Sequence, residues 1–89
     1  MHTNLPSPAT PLLAILRQLG TNDRRDEFAA LAGTSTAYLY QLAGCKRAAC
    51  RTPLAKGIAD ASVVMHARYG SDTITMDALA TMCPLREKD

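Results

Sequence analysis

A tight turn between two short helical segments constrains this chain more than any other feature of its sequence. A small residue, Ala29, is followed four positions later by Gly33, and Leu39 comes six positions after that glycine. Glycine adopts positive φ angles easily, so Gly33 is suited to reverse the chain. Ala29 permits the helices before and after Gly33 to cross closely. Leu39, in the second of these helices, is placed to bury its aliphatic side chain against the first. This spacing is typical of a helix-turn-helix over residues 25–42. Further inward contacts are predicted for Phe28, Ala32 and Leu42.

The composition favours small, closely packed helices. The chain has 89 residues, of which 47% are hydrophobic but only 4% aromatic. This length suits one compact domain, whose core must be built mainly from aliphatic side chains. No segment alternates polar and apolar residues with the period of a strand. We therefore predict an all-α fold, a compact bundle of about five short helices.

Capping signals divide the chain into segments. Thr10-Pro11 and Thr52-Pro53 each combine an N-cap residue with a proline at the first helical position. Gly20, Gly33 and Gly44 are placed to end helices. The predicted helices are 11–19, 24–31, a third beginning after Thr34 or Ser35 and reaching 43, one from 53 to before Gly70, and 76–82. We expect a loose arm at 1–9, a helix-turn-helix domain at 10–69 and an extension with a short helix at 70–89.

The charge distribution is more informative than the net charge of +2. Between Thr34 and Ala59 there is no acidic residue. In a helix-turn-helix, the second helix can enter the major groove of DNA. A basic segment directly after that helix is typical of a surface that contacts nucleic acid. The alternative is an ordinary solvated loop. The basic residues of this segment are Lys46, Arg47, Arg51 and Lys56.

The three cysteines, Cys45, Cys50 and Cys83, are interpreted as reduced thiols of a cytoplasmic protein. The amino terminus lacks a signal-peptide pattern, and no apolar run is long enough for a membrane span. Two functional alternatives are a redox switch at Cys45 and a zinc site formed by the three cysteines together with His66. The spacing from Cys45 to Cys50 is looser than that of ordinary zinc ligand pairs.

Patterns associated with catalysis are not apparent in the sequence. Nothing arranges its Ser, His and Asp residues as a triad. It also lacks a glycine-rich phosphate loop and metalloenzyme spacing. We therefore expect a protein that is not an enzyme and that needs neither a cofactor nor a metal.

The pattern resembles small phage-repressor-type helix-turn-helix regulators, which are Cro-like or YdaS-like. The resemblance spans residues 11–66 and implies a lambda-repressor-like fold. The segments that carry it are 25–29, 32–35, 38–44, Leu54-Ala55 and 58–62. It further implies a transcriptional regulator that binds a double-stranded DNA operator.

The same resemblance implies which residues touch DNA. The helix after the turn would contact bases, because side chains in the major groove distinguish base pairs. The implied base-reading residues are Ser35, Thr36, Ala37, Tyr40 and Gln41. Phosphate contacts would fix the orientation of the protein on the duplex. The implied phosphate-binding residues are Arg25, Thr34, Lys46, Arg47 and Arg51.

A single module of this size buries little DNA surface, so we expect a homodimer on a palindromic operator, acting as a repressor. The alternative is an antitoxin-type or other protein-interaction module built on the same fold. A thiol- or metal-responsive sensor is a further alternative. The residues predicted to form the dimer surface are Tyr69, Ile74, Met76, Leu79 and Met82.

Overall fold

The computed structural model describes residues 10–45 and 52–82 of the chain. Within these ranges the backbone forms five helices and no strand, which confirms the all-α class for the part described. The predicted arm at 1–9 and most of the basic segment lie outside it. The helices are α1 (Pro11–Leu19), α2 (Asn22–Ala32), α3 (Thr36–Ala43), α4 (Thr52–Tyr69) and α5 (Met76–Thr81).

Thr10 organises the start of α1 and also ties it to α3. Its hydroxyl oxygen accepts a hydrogen bond from the Leu13 amide at 3.2 Å, and Pro11 occupies the first turn. This is the N-cap arrangement that the sequence predicts. The same hydroxyl donates to the carbonyl oxygen of Ala43 at 2.8 Å. One side chain therefore satisfies backbone groups at the beginning of α1 and at the end of α3.

The core is made of aliphatic and small side chains, with Phe28 fully buried among them. Leu12, Ile15, Leu16 and Leu19 bury one stripe of α1, as their spacing predicts. The predicted inward side chains of the turn region are also buried: Phe28, Ala29, Ala32, Leu39 and Leu42. Burial of these apolar side chains orients α2 and α3 on the bundle.

Helices α2 and α4 approach each other closely at Gly57. A Cβ atom at this position would lie 2.5 Å from the carbonyl oxygen of Ala32. No side chain fits at that distance, so the glycine permits the backbones of α2 and α4 to touch. The end of α2, and with it the turn that follows, is thereby fixed against α4.

The segment between α4 and α5 is fastened to the core through Ser62, which is completely buried. Its hydroxyl donates to the Ala59 carbonyl at 2.7 Å and accepts from the Ile74 amide at 3.0 Å. Gln18 adds a second connection, because its side-chain amide bonds both the backbone amide and the carboxylate of Asp72. The segment is therefore built into the bundle.

This packing corrects the predicted dimer surface. Ile74 and Leu79 are only 4% and 3% exposed and belong to the core, so the expectation that they form an external surface is wrong. Met82 is partly buried against the same core. Tyr69 and Met76 are exposed. The apolar character of Ile74 and Leu79 reflects core packing, because α5 folds back against α1 and α4.

Candidate nucleic-acid interface

Gly33 ends α2 and starts the turn that leads into α3. Its φ angle is +84°, a conformation that glycine adopts at little steric cost. The Gly33 amide donates to the Ala30 carbonyl at 3.1 Å, and the Thr34 amide donates to the Ala29 carbonyl at 2.9 Å. This pair of bonds is a Schellman motif, which satisfies carbonyl groups left open at the end of a helix. The turn therefore has a defined geometry and spans residues 33–35 only.

Ser35 caps the amino terminus of α3. Its hydroxyl oxygen accepts a hydrogen bond from the Tyr38 amide at 3.2 Å. Capping by Thr34 or Ser35 was predicted, and the structure selects Ser35. Because the oxygen serves the cap, the exposed Ser35 side chain has its proton left for contact with a ligand.

One side of α3 is buried and the opposite side faces solvent. Leu39, Leu42 and Ala43 point into the core. Ala37 is exposed, and so is Tyr40, at 41% of its surface. Thr36 and Gln41 are half-buried at the margins of this exposed face. The structure therefore brings the predicted base-reading residues together around one exposed face of α3.

A hydrogen bond between α2 and α3 lies at the start of this face. The Thr36 hydroxyl donates to Oδ1 of Asp26 at 2.5 Å. Asp26 is exposed, and its carboxylate is thus held beside the first residue of α3. Asp26 is a site residue that the sequence does not predict, because a separation of ten residues is not a signal for such a pair.

The predicted phosphate-binding residue Arg25 is half-buried between α1 and α2. Its Nε donates to the Leu16 carbonyl at 2.7 Å, and Nη1 donates to the Asn22 side chain at 3.2 Å. Arg25 therefore satisfies a carbonyl near the end of α1. Thr34 is half-buried in the turn. The remaining predicted phosphate ligands, Lys46, Arg47 and Arg51, lie outside the described residues.

A charged cluster joins α2 to the end of α4. The Tyr69 hydroxyl donates to Oε1 of Glu27 at 2.7 Å, and Arg68 pairs with the other carboxylate oxygen. The guanidinium of Arg24 lies 4.3 Å from the centre of the Tyr69 ring, a cation–π distance. The hydrogen bond from Tyr69, aided by Arg68, lowers the pKa of Glu27. The same bond raises the pKa of Tyr69.

The expectation of a reduced thiol is wrong for Cys45, because this residue is disulfide-bonded. It follows α3 directly and has a φ angle of +60°. Cys50 and Cys83 lie outside the described residues. Disulfides persist mainly in oxidising compartments and are often redox-active elsewhere. In the described ranges, no group of three His, Cys, Asp or Glu side chains is placed to hold a metal ion.

Comparisons with protein-family models, curated proteins and solved structures found no match to this chain. Across residues 10–45 and 52–82, no helix is long and apolar enough to cross a membrane. The structure itself defines two helices joined by a short capped turn, with an exposed face on the second. An uncharged helical face of this kind can enter a groove or dock on a protein.

Proposed function

We propose that this protein is a transcriptional regulator that binds double-stranded DNA in a sequence-specific manner by placing α3 in the major groove. The observation that carries the proposal is the capped turn after Gly33, which leads into a helix with one exposed face. The buried side chains Leu39 and Leu42 hold the rest of that helix on the core. Repression from a palindromic operator, as a cytoplasmic homodimer, is part of the same proposal.

The dimensions of α3 suit this role. An α-helix with its side chains is about 10–12 Å wide, and the major groove is about 12 Å wide. Recognition helices contact base edges mainly through their amino-terminal residues. For α3 these positions are the N-cap Ser35 and the first two helical residues, Thr36 and Ala37, with Tyr40 one turn after Thr36. The Ala37 methyl group is suited to a thymine methyl, and the Gln41 amide is of the type that pairs with adenine.

Affinity that does not depend on sequence requires positive charge near this face. We assign that role to Lys46, Arg47 and Arg51, which follow α3 along the chain. Contacts of lysine and arginine with phosphates release counterions, so affinity should fall steeply as salt rises. Arg25 is a weaker candidate than the sequence implied, because its guanidinium already bonds Leu16 and Asn22.

The decisive experiment selects bound duplexes from a random DNA pool with the full chain and then measures affinity for the enriched sequence. We expect an inverted repeat with half-site centres about 34 Å apart, one turn of DNA. Tyr40→Ala should weaken binding to that operator by about 1–3 kcal/mol and change binding to random DNA much less. Val63→Ala, at an exposed position of α4, is the matched control. Failure to enrich any sequence would contradict the proposal.

A protein-interaction module is the second candidate, and one observation favours it. The exposed face of α3 contains no charged residue, while the carboxylate of Asp26 lies at its start. Phosphates would repel that carboxylate, whereas a protein partner need not. This candidate would be favoured if no DNA sequence is enriched and the chain instead forms a stable complex with a different protein that copurifies with it.

A further inference from the structure

We propose that Asp26, held in place by Thr36, determines part of the DNA sequence preference by accepting a hydrogen bond from a cytosine amino group. This inference rests on the proposed function, because it concerns the same face of α3. It adds a residue from α2 to the base-reading set and names the base that this residue selects.

The position of the carboxylate supports this role. Asp26 is exposed, and its Oδ1 lies 2.5 Å from the hydroxyl oxygen of Thr36. Thr36 is the first residue of α3. It therefore lies at the amino-terminal end, which in a recognition helix is the end that contacts base edges. The bond limits the rotation of the Asp26 side chain, so its second oxygen has a restricted set of positions beside that end.

The same bond removes Thr36 as a hydrogen-bond donor to DNA. A threonine hydroxyl has one proton, and here that proton is directed to Asp26. The pair therefore presents acceptor oxygens and a methyl group toward its surroundings. Acceptors at this point require donors on the bases.

The major groove offers such donors on only two bases. Cytosine presents its N4 amino group, and adenine presents its N6 amino group beside the N7 acceptor. A carboxylate is acceptor-only, so the adjacent N7 of adenine repels it and cytosine is the favourable partner. At a site without a donor, the carboxylate loses its hydration and gains no bond, which makes such sites weaker.

A purely structural role for Asp26 predicts a different result. A carboxylate near the amino terminus of a helix stabilises that helix, and Asp26 is placed to do so for α3. That effect alters the stability of the protein and its affinity for all DNA together. It does not change the base preferred at one position of the operator.

The test repeats the selection from a random duplex pool with wild-type protein and with Asp26→Asn. We expect wild type to enrich a cytosine at one position of each half-site, and its replacement to reduce affinity by about 5- to 150-fold, equivalent to 1–3 kcal/mol. With Asp26→Asn the preference should change to adenine, because an Asn side chain pairs with both N6 and N7 of adenine. Binding to random DNA should become tighter.

Three further variants keep the test decisive. Asp23→Asn removes an exposed negative charge three residues earlier on α2 and should leave every base preference unchanged. Thr36→Ser retains the hydroxyl, so the cytosine preference should persist whatever the overall affinity of this variant. Thr36→Val removes it and should reduce discrimination for cytosine several-fold, so this variant decides the matter if Asp26→Asn does not fold.

The outcomes separate this inference from the function on which it rests. If wild type enriches an operator and Asp26→Asn enriches the same bases at all positions, the inference is overturned while the proposed function stands. If wild type enriches no sequence, the proposed function itself is wrong. A change of preference with Asp26→Asn but not with Asp23→Asn supports the inference.

Discussion

The two sides of α2 differ in how they meet their neighbours. Toward α4 the helix is in backbone contact at Gly57, and Glu27 is bonded by Tyr69 and Arg68. Toward α3 it ends in a short turn and is joined to that helix by the side-chain hydrogen bond from Thr36 to Asp26. The contacts with α4 therefore hold α2 in the bundle, while one face of α3 remains exposed to solvent.

Gly57→Ala tests the closely packed side and should have the largest effect on stability. The added methyl group would meet the Ala32 carbonyl oxygen at 2.5 Å, so the two helices must move apart. We expect a loss of about 1–3 kcal/mol in the free energy of unfolding, typical of overpacking, measured by urea denaturation. At an open helix position the same change would stabilise by up to about 1 kcal/mol. A variant as stable as wild type would show that α2 and α4 are not in backbone contact.

Gly33→Val tests the turn on the other side. The φ angle of +84° is unfavourable for any residue with a Cβ atom, and most of all for a β-branched one. We expect a loss of about 1–2 kcal/mol, observed as a lower midpoint of thermal unfolding by circular dichroism.

Gly33→Asn is the matched control, because asparagine tolerates the left-handed region better than valine. No atom lies within 4 Å of a Cβ built at Gly33, so steric contact does not confuse the comparison. Equal losses for the two variants would mean that the positive φ angle is not the cause.

Glu27→Gln tests the charged cluster and should have a smaller effect that depends on pH. The pKa of Glu27 is lowered on folding, so its contribution to stability is complete above the ordinary value of 4.5. That contribution is lost as the pH falls through the lower folded value. The thermal midpoints of wild type and variant should therefore differ at pH 7 and converge at strongly acidic pH. A difference between the two midpoints that stays constant at all pH values would contradict the assignment.

Local signals account for the features that the sequence predicted correctly. The Thr10-Pro11 cap, the glycine turn and the apolar stripe of α1 depend on residues close together in the chain. The pairing of Thr36 with Asp26, and of Tyr69 with Glu27, depends on how helices rotate against each other. That rotation cannot be read from sequence spacing. The residues on the exposed face of α3 were therefore predictable, but the side chains that Thr36 and Tyr69 contact were not.

The buried Ser62 hydroxyl has a consequence for hydrogen exchange. The Ile74 amide lies outside any helix, yet it donates to Ser62 Oγ at 3.0 Å in the interior. Its proton can exchange with deuterium only when the segment lifts away from α4. We therefore expect this amide to exchange as slowly as those in the middle of α4, while the amide of Thr73, a residue exposed to solvent, exchanges quickly. A loop proton would thus report the opening of the core.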